Sequence, residues 1–422
     1  MRFSALLAFV LAAACAAAAG KSSIGLDAGG VTIARLSDAR TQTFFGYYDV
    51  PAVDPTTGRH LAHRVGFRDR PPTADDEAEL GYVSLNGDGT FTVFASTRAW
   101  NFQQGSMLQW VGDGSGRVFY NEIAPGAAGY RGVLLDLDSG KKKYTDRALA
   151  DLSGDGRWGL AVDFDRLHDF RPGYGYALRD DPRQSELHPE DDGVWVCNLA
   201  TGRSKLVLSL AALHDHVGSL SPFMQGKLLV NHLTFNPSAS RFVFLLRNFP
   251  LPDPPKIPGS RWRTTVLTAA RDGSELRILV PSGYASHYHW RDDTTIVFHC
   301  DGPQGRQLYE ITDTPEPGFT AIDPEFFLRD GHCSYSADRR WMLYDSYPDN
   351  NREQHLYLYD LKERRGWTIG SLQSEAVPII DLRCDLHPRW LPDGRLGFDS
   401  THEGFRGIYV VDVRPLMSSS SR

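Results

Sequence analysis

The sequence predicts an all-β protein: a single seven-bladed β-propeller whose ring is closed by an N-terminal strand. Three observations predict it. Turn-forming clusters recur at 54–58, 112–116, 153–156, 236–240, 291–293, 336–338 and 391–394, and each leads into an apolar, strand-like run. A later strand recurs with them, as in Gly132-Val-Leu-Leu-Asp-Leu, His355-Leu-Tyr-Leu-Tyr-Asp-Leu and Gly407-Ile-Tyr-Val-Val-Asp-Val. The last unit stops at Val413 after three strands, and the segment 31–36, Val-Thr-Ile-Ala-Arg-Leu, is placed to supply the missing fourth. Units of roughly 40–50 residues are the period of a propeller blade. One blade cannot bury both of its faces, so blades stack until the ring closes.

In chain order, residues 1–20 read as an export signal: Arg2, an apolar run over 5–10 that continues into alanines, then small residues and Gly20. The run is too short for a membrane anchor. The expected location is therefore secreted or periplasmic, with no transmembrane segment. Lipid attachment at Cys15 is the lesser alternative, because Ala12 stands where a bulkier aliphatic residue is usual. Seven units follow, anchored on Val53, Trp110, Leu152, Phe235, Trp290, Tyr335 and Trp390. The longest gap, Leu152 to Phe235, marks an insertion in the third unit. The propeller is expected over 21–415, with a disordered tail at 416–422 and a monomeric state. Forty glycines and 25 prolines suit short strands and tight turns. A net charge of −7 gives no reason to expect nucleic acid, so an acidic ligand would need a local basic site. Cys197 and Cys300 lie in strand-like runs and read as buried hydrophobes. Cys333 and Cys384 are open to two readings, metal ligation or a disulfide.

The chemistry-bearing pattern is a set of histidines in register. His232, His287, His332 and His387 each lie three residues before an aromatic (Phe235, Trp290, Tyr335, Trp390) that opens a turn. Equivalent positions on successive blades converge on the axis, so four imidazoles there suggest a metal or proton-transfer site. Cys384 and His387, with His332 from the neighbouring unit, make a three-ligand N/S set suited to zinc. Arg261 and Arg263 alternate on one strand face ahead of His287, and Arg247 ends the strand after His232. Such a pair can clamp a carboxylate. Arg166, His168 and Tyr174 sit in the insertion, which reads as a substrate-contacting loop. Tyr48 and Gln104 occupy matching places in units one and two, where they can bond sugar hydroxyls.

The histidine-bearing repeat, most specifically at His287, His332 and His387, resembles the oligogalacturonate-lyase-type polysaccharide lyases, seven-bladed propellers related to TolB-like repeats. The resemblance implies β-elimination on an acidic oligo- or polysaccharide, with His287 as base, Arg263 (or Arg261) as helper, and His332 and His387 holding a divalent metal, Zn or Mn. The chain departs from the pattern where Cys384 replaces a glutamine ligand and Arg389 a further histidine. Other uronate polymers, such as those cut by ulvan lyases, stay open as substrates. The alternative is a non-catalytic TolB-like propeller that binds a protein or glycan. A serine-peptidase propeller is disfavoured by the lack of Gly-x-Ser-x-Gly. A two-carboxylate hydrolase could nominate Asp49, Asp163 and Asp385, but nothing pairs them.

Overall fold

The computed structural model describes residues 31–251 and 262–419. Among these, 28 strands form seven four-stranded antiparallel sheets arranged as the blades of a ring. The inner strands are Gln42–Phe44, Gln109–Trp110, Asp151–Leu152, Leu228–Phe235, Ala285–Trp290, Cys333–Tyr335 and Arg389–Trp390. Blade 1 starts earlier than its anchor predicts: Val53 makes only an isolated bridge to His60, and the inner strand lies upstream.

Strand composition follows from blade stacking. The second strand of blade 4, Arg241–Asn248, reads Phe-Val-Phe-Leu-Leu through its middle, and all five side chains are buried. Neighbouring blades cover both faces, so the strand is continuously apolar rather than alternating. The outer strand of blade 1, Thr92–Thr97, is largely exposed and correspondingly mixed.

The ring closes as the sequence predicts. In blade 7 the third strand, Gly407–Val411, pairs with Ile33–Arg35, which is the outer strand of that sheet (Ile33↔Val411, Arg35↔Tyr409). Leu36 N–H then donates to the Ile408 carbonyl at 2.8 Å, and Thr43 N–H to the Arg406 carbonyl at 2.9 Å, so the chain passes directly from latch to blade 1.

The tail differs from expectation. Arg414–Ser419 is a short helix, and Leu416 and Met417 pack on the core of blades 6 and 7 because their apolar side chains find a covered face there. No helix among the described residues is long and apolar enough to cross a membrane. The long gap in unit three is filled by helix Phe164–Phe170 and a following loop, inserted between Trp158–Ala161 and Gly193–Asn198. A second helix, Leu210–Val217, precedes blade 4. The leader 1–20, with Cys15, and Arg261 lie outside the described residues.

Candidate active site

The four in-register histidines lie where the inner strands begin, and local irregularities turn them to the axis. His232 sits in a bulge of its strand with φ 45°, and His287 lies at a register shift between Ala285 and Tyr288. His387 has φ 42°. Left-handed backbone at a non-glycine residue costs on the order of 1–3 kcal/mol and survives only where surroundings impose it. Here the imposition is visible at His387, whose N–H is held by Asp345 Oδ2 at 3.2 Å.

The rings form one cluster. His287 and His332 are 4.0 Å apart between centroids, and His332 and His387 are 4.3 Å apart. Tyr47 stacks on His232 (5.3 Å, 7°) and donates its hydroxyl to Nδ1 at 2.8 Å. Gly46, at φ 120°, lets this happen: a Cβ there would lie 3.0 Å from the Gln104 backbone. Its N–H and that of Phe45 are held by Asp399 of blade 7.

Two of the imidazoles, those of His332 and His287, have a carboxylate behind them. Asp345 accepts from His332 Nδ1 at 3.0 Å and from its backbone N–H at 2.6 Å, which leaves Nε2 turned to the cluster. Asp330 accepts from His287 Nδ1 at 3.1 Å, and the Tyr347 hydroxyl donates to Nε2 on the other side, also at 3.1 Å. Burial works to raise the pKa of Asp330, but the His287 charge and hydrogen bond, with help from His299 and Tyr284, hold it below the ordinary carboxylate value. Burial, then the Asp385 charge, raises Tyr347 well above the ordinary tyrosine value, so the phenol stays protonated. Burial also holds His232 and His332 well below 6.5 and pushes His387 down to about 3. All three are neutral near pH 7; His232 spends its lone pair on the Tyr47 hydroxyl.

His332, Asp385 and His387 each offer one ligand atom within 4.8 Å of the others. Two imidazoles and a carboxylate make a donor set that fits a divalent transition metal. Cys384 is not in this set, contrary to the sequence expectation. In an extended segment Asp385 and His387 share a face and Cys384 takes the opposite one. Its thiol is buried, pushed up to about 12, and close only to the Asp385 carbonyl at 3.8 Å. The disulfide alternative is also absent, since the four described cysteines are free and buried.

A cavity of about 560 Å³ opens beside the cluster, lined by Arg171, Tyr174, Arg247, Tyr347 and Arg383 among others. Two of its guanidiniums are paired: Arg171 with Asp381 at 2.5 Å, and Arg383 with Asp385 at 2.5 and 2.9 Å. Arg247 is different. It is 6% exposed, and it donates only to Thr264 Oγ1 (3.2 Å) and the Ala285 carbonyl (3.3 Å), with no carboxylate partner among the described residues. A buried guanidinium without a counter-charge is costly unless an anion completes it.

Other expected contacts fall elsewhere. Arg263 carries its guanidinium over the Phe223 ring at 5.3 Å, while its chain neighbours Trp262 and Thr264 line the cavity together with Arg247. Arg166 is turned inward, bonded to Asp181 (3.1 Å) and to the carbonyls of Leu228, Glu186 and Leu187. It holds the insertion together rather than touching a ligand. His168 faces a small cleft with Pro172 and Phe102, away from the axis. The Tyr48 hydroxyl is used by the Tyr288 carbonyl at 2.7 Å, so that residue is buried support under the imidazoles. Gln104 lies inside the axis, 3.4 Å from His232 Nδ1. Tyr174 meets His232 edge-on at 5.3 Å and lines the cavity. Sequence reasoning missed Asp330, Asp345 and Tyr347, and raised Asp385 only as a hydrolase carboxylate. Only Asp385 left a signal, two residues before His387.

Fold and site together define a seven-bladed β-propeller with a buried histidine cluster at its axis and an arginine- and tyrosine-lined cavity beside it. No protein-family model matches the chain, and no curated protein sequence matches it. Among solved structures it is similar to oligogalacturonate lyase from Vibrio parahaemolyticus, with a TM-score of 0.62 and 13% identity over 92% of this chain and 95% of that one. An oligogalacturonate lyase in complex with manganese gives 0.62 and 14%, over 93% and 94%. TolB from Acinetobacter baumannii gives 0.39 and 13%, over 77% and 66%. At these identities the two lyase likenesses show the fold.

Proposed function

We propose that the protein is an exported polysaccharide lyase that cleaves uronate-containing oligo- or polysaccharides, of the oligogalacturonate kind, by β-elimination. The observation that carries this reading is the Asp330–His287–Tyr347 chain, which ends in a cavity beside Arg247, whose guanidinium has no carboxylate partner among the described residues. The likeness to two oligogalacturonate lyases, one solved with manganese, supports both the reaction class and a divalent metal, Zn or Mn. The leader-like segment 1–20 supports export.

His332, Asp385 and His387 would hold the metal. When bound, such an ion supplies Lewis-acid stabilisation of negative charge. The chain's own residues account for the proton movements. His287 Nε2 takes the C5 proton of the uronate, while Asp330 fixes the tautomer and stabilises the imidazolium. Negative charge grows on the adjacent carboxylate, where Arg247 meets it in the cavity. The C4–O bond breaks, a C4–C5 double bond forms, and the Tyr347 hydroxyl gives its proton to the departing oxygen. The His287 imidazolium then returns a proton to Tyr347 across their hydrogen bond, and both residues are restored.

The test is incubation with a panel of uronate oligosaccharides, read by absorbance of the unsaturated product. Wild-type protein should yield it on at least one member. Tyr347→Phe should lose cleavage while still exchanging the C5 proton with deuterated solvent, because it keeps the base and lacks the acid. A wild-type protein inert on every uronate polymer would move the assignment to a binding propeller.

A further inference from the structure

The loop that carries Tyr347 continues through Asp349 into the third strand of blade 6, Glu353–Asp360. At its end Asp349, Glu353 and His355, all half-buried, bring one donor atom each within 4.8 Å of the others. Asp349 Oδ1 accepts from the N–H groups of Asn351 (2.8 Å) and Glu353 (2.9 Å), which shapes the loop. Its Oδ2 lies 3.5 Å from His355 Nε2. That is longer than an ordinary N–H···O bond of about 2.7–3.2 Å. It is close to the roughly 3.3 Å expected between two ligands bound at ~2.0–2.1 Å to one tetrahedral ion.

Two further observations point the same way. His355 Nδ1 is hydrogen-bonded to Ser371 Oγ on the outer strand at 2.8 Å, which orients the ring and turns Nε2 to the carboxylates. No lysine or arginine pairs with Asp349 or Glu353 among the described residues, and the Glu353 carboxylate accepts no hydrogen bond there. Two carboxylates and an imidazole nitrogen therefore face one point, with no lysine or arginine beside them among the described residues.

We propose that Asp349, Glu353 and His355 form a second divalent-cation site, with mixed nitrogen and oxygen donors suited to Zn²⁺ or Mn²⁺, that pins the loop carrying Tyr347. The consequence for Tyr347 rests on the lyase reading; the binding itself does not.

Metal-stripped full-length protein is titrated by calorimetry with Zn²⁺ and, separately, with Mn²⁺. Two ions per chain are expected for the wild type. Asp385→Asn should weaken the axial ion and leave the rim ion. Glu353→Gln/His355→Gln should lose the rim ion and keep the axial one. Ser371→Ala should weaken the rim ion by about 10–100-fold without abolishing it, as loss of a supporting hydrogen bond does. A rim double variant that binds as many ions as wild type, at the same affinities, overturns the site whatever the lyase assay gives. Loss of one ion in that variant upholds the site even if no uronate is cleaved. Should the double variant unfold, Glu353→Gln alone decides: weakened rim binding supports the site, and unchanged binding overturns it.

Discussion

The blade-3 insertion and the axial cavity use the same residue types to opposite ends. Both are rich in arginine and tyrosine, and the insertion lends Arg171 and Tyr174 to the cavity wall. In the insertion, Arg166 is 2% exposed against an Asp181 that is fully buried, and backbone carbonyls take its remaining donors. In the cavity, Arg247 is nearly as buried and has no acidic partner among the described residues. A paired guanidinium has already found its anion within the fold, whereas one without a counter-charge is open to an anion from outside it. What separates structure from function here is the partner.

The largest expected effect lies on the functional side of that contrast. His287→Ala should fold normally and lower turnover by about 10²–10⁴-fold, the loss typical of a general base. Unchanged product formation would remove His287 from the mechanism. On the structural side, Arg166→Ala should cost about 3–5 kcal/mol of stability, because it strands a buried aspartate. Denaturant midpoints measure this, and a midpoint equal to wild type would place Arg166 back among candidate ligand contacts. Lys227, 3.3 Å from Asp181, would soften the loss.

Acid should weaken the whole ring. Burial pushes His63 and His289 down to about 4 and His60 to about 3. With folded values below the unfolded ~6.5, their contribution is complete above pH 6.5 and is lost as pH falls toward 4, a change on the order of a few kcal/mol. The Ser106 N–H donates to His63 Nε2 at 3.0 Å, so protonation also breaks a hydrogen bond. Thermal midpoints should therefore drop across that window, and His63→Gln should flatten the slope.

Arg247→Leu sharpens the comparison most directly. It should leave stability unchanged or higher and weaken oligosaccharide binding by about 1.5–3 kcal/mol, the worth of a charge-assisted hydrogen bond. Lost stability with unchanged KM would make Arg247 structural. The smallest effect is expected for Cys384→Ser, which should keep the metal content of the protein, whereas Asp385→Asn should lower it.

The sequence by itself determined the repeat, the number of blades, the latch strand and the register of the four histidines. These follow from local periodicity and turn chemistry, and identical units placed around a closed ring must bring equivalent residues together. The tertiary structure alone decided which neighbours those histidines meet. Asp345 lies across a hairpin from His332, Asp330 precedes the next blade after His287, and Tyr347 reaches back one blade to the same ring. It also put Arg247 on the cavity wall, and Asp385 rather than Cys384 beside His332 and His387. Those choices depend on bulges, positive φ angles and the direction of single side chains, which arise when blades pack against each other and leave no mark in the spacing of residues along the chain.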